Sequence, residues 1–433
     1  MNLLYLHCHD MGRYNSLYGH AISTPNLQSL AQDSTLFRQA FCVAPTCSPS
    51  RGALLTSRPP HVNGLIGLTH RGFSLNNPEM HLSHYMRSQG YTTALFGIQH
   101  ESADVSKLGY DTIYTSPEIA DNDYEWAQQA ASFIKGNKQP FYMSVGFFYP
   151  HREFLKNKTV DEAYVSVPPC IPDNAITRAD FADYMTSVTE MDRCAAVVLD
   201  ALKESGQYED TVIILTTDHG IAFPHMKCNL YDSGCGVTLA IKPANESRNK
   251  PHIPVCDHMV THMDVFPTLC DLLGLPQPDY LMGRSLYSLM HGETTDPPHE
   301  AIFLENTYHA AYEPMRAVRT SRYKYIKRYD PNFTNTVLPN TDVGGTKDFL
   351  LNHGWDQFTH QQEEFYDLYL DPTERHNLVN NPAYSAQANS LRLRLADYMK
   401  QTNDPLLAGY VPKPDGARIT VKTARYNTDE IYE

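Results

Sequence analysis

Four apolar runs break up the first half of the chain, and each gives way abruptly to polar residues. They are "NLLYLH" (2–7), "TTALFG" (92–97), "PFYMSVGFF" (140–148) and "TVIILTTDHG" (211–220). Runs without polar alternation predict strands buried on both faces, the habit of parallel sheets. Between them the apolar spacing changes to three and four. "TPNLQSLAQDS" offers Thr24 as a cap and Pro25 at the first helical position. Residues 178–206 carry a long amphipathic helix with a glycine stop, and 262–275 another with Pro267 in its first turn. Strands alternating with helices predict an α/β sandwich with a mostly parallel sheet.

After the polar, proline-containing stretch at 291–300 the pattern changes. "MRAVRTSRYKYIKRY" (315–329) predicts two strands joined by a turn near Ser321. Residues 363–378 read as a strand, a turn and a helix start, and 385–402 as a terminal helix. The expected organisation is a large α/β domain over 1–312 and a smaller α+β domain with an antiparallel sheet over 313–433. Such a division suits a chain of 433 residues, too long for one simple core.

In open α/β sheets, sites form where strands end at their carboxyl edges. Polar pairs stand at those ends here: His9 and Asp10, His100 and Glu101, His151 and Arg152, Asp218 and His219. A single histidine there is commonly structural, and an Asp can merely cap the next helix. Four such clusters at four strand ends point to one shared site. Asp10, Asp218 and His219 suit a hard divalent cation such as Ca²⁺ or Mg²⁺, while His9 and His219 leave Mn²⁺ or Zn²⁺ open.

Composition narrows the field. At 42% hydrophobic and 19% charged, the chain is globular, and its formal net charge of −14 argues against non-specific nucleic-acid binding. An anionic substrate would need a local positive pocket. Nine cysteines without a C-x-x-C pair favour reduced thiols over a disulfide framework. No segment is apolar and long enough to span a membrane, and the amino terminus lacks the basic start of a signal peptide. The chain as given therefore predicts a cytoplasmic protein if full length, or a periplasmic or secreted one if a signal has been removed.

One cysteine stands apart. In "VAPTCSPSRGALLTSR" (43–58), Cys47 precedes Pro49, which favours a helix start, and Arg51 adds a fixed positive charge one turn in. A buried thiol is the bland reading of a lone cysteine, and it serves for Cys42 and Cys270. For Cys47, the pattern C-S-P-S-R followed by L-L-T-S-R resembles the signature of the type I sulfatases, in the alkaline phosphatase superfamily. The likeness continues in chain order through "DMGRYNSLYGHAISTPNLQSLA", "TTALFGIQH", "PHR", "TTDHG", "KCNLYDSG", "RAVRTSRYK" and "FYDLYLDPTERHNL". Within that family, "GFFYPHREF", "DHGIAFPHMKCNLYDSG", "EPMRAVR" and "NDPLLAGYVPKPDG" look most like the N-sulfoglucosamine sulfohydrolase branch.

The resemblance implies an alkaline-phosphatase-like fold and a particular chemistry. Cys47 would be oxidised to formylglycine by a separate formylglycine-generating enzyme. Its hydrated aldehyde would attack sulfur, and the second hydroxyl would then expel sulfate. Asp10, Asp218, His219, the modified Cys47 and His9 would hold the divalent cation, with Ca²⁺ the first choice. Arg51 and Lys227 would offset sulfate charge, His100 would deprotonate the diol, and His151 would protonate the leaving group. His70, Arg71 and Arg152 are candidate substrate contacts. Arg13, Arg71, Arg152 and Arg319 form a wider set of basic residues expected to be exposed. The implied substrate is a sulfated carbohydrate, first the N-sulfate of glucosamine from heparan sulfate fragments, with a homodimer suggested. The alternatives are an O-sulfatase, a phosphonate monoester or phosphodiester hydrolase, or a non-catalytic carbohydrate-binding relic. Two positions depart from the family: His9 replaces an Asp, and Ile98 replaces a Lys.

Overall fold

The computed structural model describes residues 1–115, 122–245, 252–429, 431 and 432. Eight strands form the larger sheet: β1 (Asn2–Cys8), β2 (Thr35–Phe41), β3 (Thr92–Gly97), β4 (Thr112–Tyr114), β5 (Phe141–Gly146), β6 (Thr211–Thr217), β7 (Leu239–Lys242) and β8 (Val255–Thr261). Their order is β4-β3-β5-β1-β6-β7-β2-β8. β1 lies between β5 and β6, parallel to both, and all seven of its residues are buried. That position explains its unbroken apolar run: helices cover both faces, so neither needs polar residues. β7 is antiparallel to β6 and to β2. Two reversals restore direction, so β2 points the same way as β1. The ends of β1, β2, β3, β5 and β6 therefore open on one edge.

The 30-residue helix Ala175–Glu204 starts three residues earlier than the sequence pattern places it. Asn174 caps it and Thr177 closes a capping box, satisfying amide groups that the first turn leaves free. The helix Pro25–Gln32 begins as expected, although Thr24 makes no side-chain cap bond. The predicted helix at 262–275 is a 3₁₀ turn, His262–Asp264, followed by Val265–Leu273, with Pro267 in the first α-helical turn.

A second sheet has the antiparallel order β12-β11-β10-β9, built from β9 (Ala301–Tyr308), β10 (Tyr312–Thr320), β11 (Tyr323–Arg328) and β12 (Glu363–Asp367). The helix Ser385–Gln401 packs on it through Leu391, Leu395 and Met399. Because β9 begins at Ala301, the division predicted at 312/313 would cut this sheet. The helix start predicted after β12 does not form. Asp371 Oδ2 instead accepts the N–H groups of Arg375 and His376, each at 2.8 Å, a local side-chain bond that competes with a helix. All nine cysteines are free and buried. Among the described residues no helix is long and apolar enough to cross a membrane.

Candidate active site

Two strand-end loops interlock at the centre of the carboxyl edge. After β1, Asp10 takes a left-handed backbone conformation, φ 52°, and Gly12 follows at φ 54°. This reversal lays the loop against the one after β6. Asp10 N–H donates to Asp218 Oδ1 at 2.9 Å, Met11 N–H to Thr217 Oγ1 at 3.0 Å, and Gly12 N–H to the His219 carbonyl at 2.9 Å. A Cβ at position 12 would sit 3.1 Å from Gly220 Cα, so the approach depends on glycine. Tyr184, on the long helix, donates to the Met11 carbonyl at 3.0 Å and holds the first loop from behind.

Cys47 is the first residue of the helix Cys47–Thr56, two positions ahead of the Pro49 start expected from sequence; all ten helix residues are buried. Ser50 Oγ donates to the Asp218 carbonyl at 2.5 Å. Arg51 is 1% exposed. Its NH2 donates to the Cys8 carbonyl at 3.0 Å and to Asp218 Oδ2 at 3.2 Å, while NH1 lies 2.6 Å from His7 Nδ1. Burial, aided by the Arg51 charge, holds His7 well below the ordinary imidazole pKa, so its neutral ring accepts that bond. The Ser and Arg of the motif thus clamp the helix to β1 and β6. They leave Cys47 at the amino end, where free N–H groups favour negative charge.

Cys47 Sγ lies 3.3 Å from His219 Nε2. His219 Nδ1 faces the Gly220 carbonyl at 2.9 Å. Its Nε2 stands 3.4 Å from Asp10 Oδ1 and 3.6 Å from Asp218 Oδ2, and His9 Nδ1 stands 3.3 Å from Asp218 Oδ2. Both His9 ring nitrogens and Asp10 Oδ1 are buried without a hydrogen-bond partner. Leaving such groups unpaired costs about 1–3 kcal/mol each. His9, Asp10, Cys47 and Asp218 can each point a ligand atom at one centre, all within 4.8 Å of one another. The donor set therefore fits a divalent cation. Burial alone would raise the Asp218 carboxyl, but His219 and Arg51 outweigh it and hold Asp218 well below the usual carboxylate range. Burial pushes the Cys47 thiol up, against the opposing charge of Lys227.

Lys227 closes one side. Its Nζ lies 2.9 Å from Asp10 Oδ2, 3.0 Å from Asp342 Oδ2 and 3.4 Å from His151 Nε2. Burial would depress the ammonium, yet the two carboxylates keep its pKa well above the ordinary value. His151, with 21% of its side chain exposed, also stands 3.8 Å from Asp10 Oδ2. The rings of His100 and His151 meet His9 edge-on, with centroids 4.8 and 5.7 Å away. His70 is exposed on the outer rim, 6.1 Å from the His100 ring. Ile98, where the resemblance leads to the expectation of a Lys, is buried.

Other basic residues have structural partners. Arg152 grips both oxygens of Asp180 at 2.8 and 2.9 Å, donates to the Ala222 carbonyl and lies over the Phe154 and Phe223 rings. Arg71 ties the late chain down through Ala310, Arg418 and Thr420. Arg319 is buried against Asp232 at 2.8 Å rather than exposed, and half-buried Arg13 donates to the Ala40 carbonyl at 2.6 Å. Two residues that the sequence reading passed over belong to the site. Asp342 arrives from the loop after β11. His309, from the β9–β10 turn, is buried, with Nδ1 unpartnered and its pKa lowered by burial and then by Lys227. No periodicity marks either; only the fold brings them here.

Comparison with known proteins identifies the family. The sulfatase family model matches residues 2–275, and the model described as "N-sulphoglucosamine sulphohydrolase, C-terminal" matches residues 225–338. The chain is 28% identical over 472 residues to N-sulphoglucosamine sulphohydrolase from Homo sapiens, covering 96% of this chain and 92% of that protein. It is 26% identical over 430 residues to an ulvan-active sulfatase from Formosa agariphila, covering 95% of this chain and 82% of that one. The solved phosphonate monoester hydrolase from Silicibacter pomeroyi has the same fold, with a TM-score of 0.73 at 18% identity over 94% of this chain and 97% of that one. The chain belongs to the sulfatase family, enzymes that hydrolyse sulfate esters and sulfamates.

Proposed function

We propose that this protein removes sulfate from a sulfated carbohydrate, specifically the N-sulfate of a glucosamine unit, with formylglycine at position 47. The observation that carries the reading is Cys47 itself: first in a buried helix, 3.3 Å from His219, among orphaned His9 and Asp10 donors. The likeness of residues 225–338 to the N-sulphoglucosamine sulphohydrolase model supports the substrate. Formylglycine would supply a hydrated aldehyde as nucleophile, and a divalent cation would supply positive charge beside it.

The remaining roles fall to the chain. His9, Asp10, Asp218 and His219 hold the cation site, and Arg51 holds Asp218. Lys227, itself buried, faces the sulfate and offsets its charge. His100 is set to take a proton from the residue-47 side. His151, on the partly open face, gives one to the departing nitrogen. An amine leaves far more readily once protonated, so this acid matters more for an S–N bond than for an S–O bond. A formylglycine-generating enzyme is a required partner.

The test is to mature the protein and offer glucosamine sulfated singly at N, O3 or O6. Release from the N-sulfate alone, with at least about a thousandfold loss in Cys47→Ala, is the expected result. Equal turnover by Cys47→Ala sinks the mechanism; preference for an O-sulfate sinks the substrate. A second reading, phosphonate or phosphodiester hydrolysis, draws on the Asp218–His219 pair and on Ile98, and faster turnover of a phosphonate monoester would favour it.

A further inference from the structure

The unsatisfied donors around residue 47 exceed what one carboxylate-bound cation needs. Two ligand sets share His9 and Cys47. One adds Asp10 and Asp218; the other adds only His100, and in each the ligand atoms lie within 4.8 Å of one another. His100 Nδ1 is buried without a hydrogen-bond partner, as are both nitrogens of His9. The carboxylate set makes no use of the His100 ring as a ligand. Chemically the sets differ in kind. To the shared thiol and imidazole one set adds two hard carboxylates, whereas the other adds a second imidazole, giving the borderline-soft composition that zinc prefers.

We propose that the protein with an unoxidised cysteine at position 47 binds Zn²⁺ through Cys47 Sγ and the rings of His9 and His100. Loading breaks the S–H bond, forms an S–Zn bond and releases one proton to solvent, with no change of oxidation state. Three protein ligands leave the fourth tetrahedral position for water. Bonds of about 2.0–2.3 Å put tetrahedral ligand atoms about 3.4–3.8 Å apart, so the widest pair closes by about 1 Å on binding. Oxidation of Cys47 to an aldehyde would remove the sulfur and reduce this set to two imidazoles, leaving the carboxylate set dominant. The state of one residue would then select the class of ion. That last step rests on the formylglycine reading; the zinc site does not.

The test uses full-length protein made without a maturing enzyme and stripped by a chelator. It is titrated with Co²⁺ as the spectroscopic probe and Zn²⁺ as the competitor. A thiolate-to-cobalt charge-transfer absorption should saturate at one equivalent, vanish in Cys47→Ser and be displaced by Zn²⁺. His100→Ala should weaken Zn²⁺ binding at least about tenfold and leave Ca²⁺ binding unchanged, with Asp10→Asn doing the reverse. His100→Gln provides a variant of similar size if the alanine does not fold. Absence of the charge-transfer absorption overturns the proposal, as does a Zn²⁺ affinity indifferent to His100. Neither result touches the sulfatase reading, which is tested by turnover of the oxidised protein, and failure of that turnover leaves the zinc site standing.

Discussion

Arg51 and Asp342 show how much of the site's electrostatics lies beneath or beside its ligands. Arg51 is buried against Asp218, His7 and the Cys8 carbonyl. Arg51→Ala would strand a buried carboxylate, a loss of about 3–5 kcal/mol in denaturant unfolding. Arg51→Lys should recover only part of it, since an ammonium cannot span three acceptors in that fork. Asp342 acts on the cation site through Lys227. With Asp342→Asn, Lys227 keeps one carboxylate, Asp10, and competes harder with a cation for it. Cation affinity should fall about tenfold by calorimetry with little change in melting temperature. The sequence made the strand-end residues legible because each sits beside a strand that announces itself. It did not reveal that Arg152 is spent on Asp180, since Asp180 lies in another element and the pairing is tertiary.

Among the elements, the helix Leu82–Ser88 carries an unusual cap. His81 is fully buried, and its Nδ1 accepts the Ser83 N–H at 3.2 Å. Burial lowers the His81 pKa from 6.5 to about 3. An unfolded chain binds its proton near 6.5 and the folded one only near 3, so stability is full above pH 6.5 and falls as pH drops toward 3. That window corresponds to about 3–5 kcal/mol. His81→Asn keeps a capping oxygen and should flatten the slope of unfolding free energy between pH 6.5 and 4; an unchanged slope would assign acid lability elsewhere. Periodicity found the elements with one dominant environment: β1 and β6, buried throughout, and the long helix with one apolar face. It missed β7, only four residues long, and β8, an edge strand whose burial alternates irregularly. It also missed β2, where Arg38 and Gln39 interrupt the apolar run. Short or edge strands get their identity from the partners they meet.

At the scale of the molecule, the two sheets are joined by charge. Asp232, at the start of a short helix in the first unit, pairs with Arg319 of β10 at 2.8 Å and Lys324 of β11 at 2.6 Å. Lys324 also donates to the Leu230 carbonyl and pairs with Glu374. Burial works against the Asp232 charge, but Lys324 and Arg319 overcome it and hold its pKa below the usual range. The change of pattern near residue 300 revealed that a second sheet exists, but no sequence rule could show that its polar faces are neutralised by the first unit. A chain ended at 312 would lose three of the four small-sheet strands, leave β9 unpaired on both edges, and uncover Asp232 together with the face that the small sheet covers. It would also remove Asp342 from Lys227. An unpaired strand edge beside newly uncovered apolar surface is a template for association between chains. The fragment 1–312 should therefore aggregate or expose its amides to rapid hydrogen exchange. A soluble fragment with a cooperative melt would show instead that the large sheet is stable alone, and would confine the role of the second sheet to completing the site around Lys227.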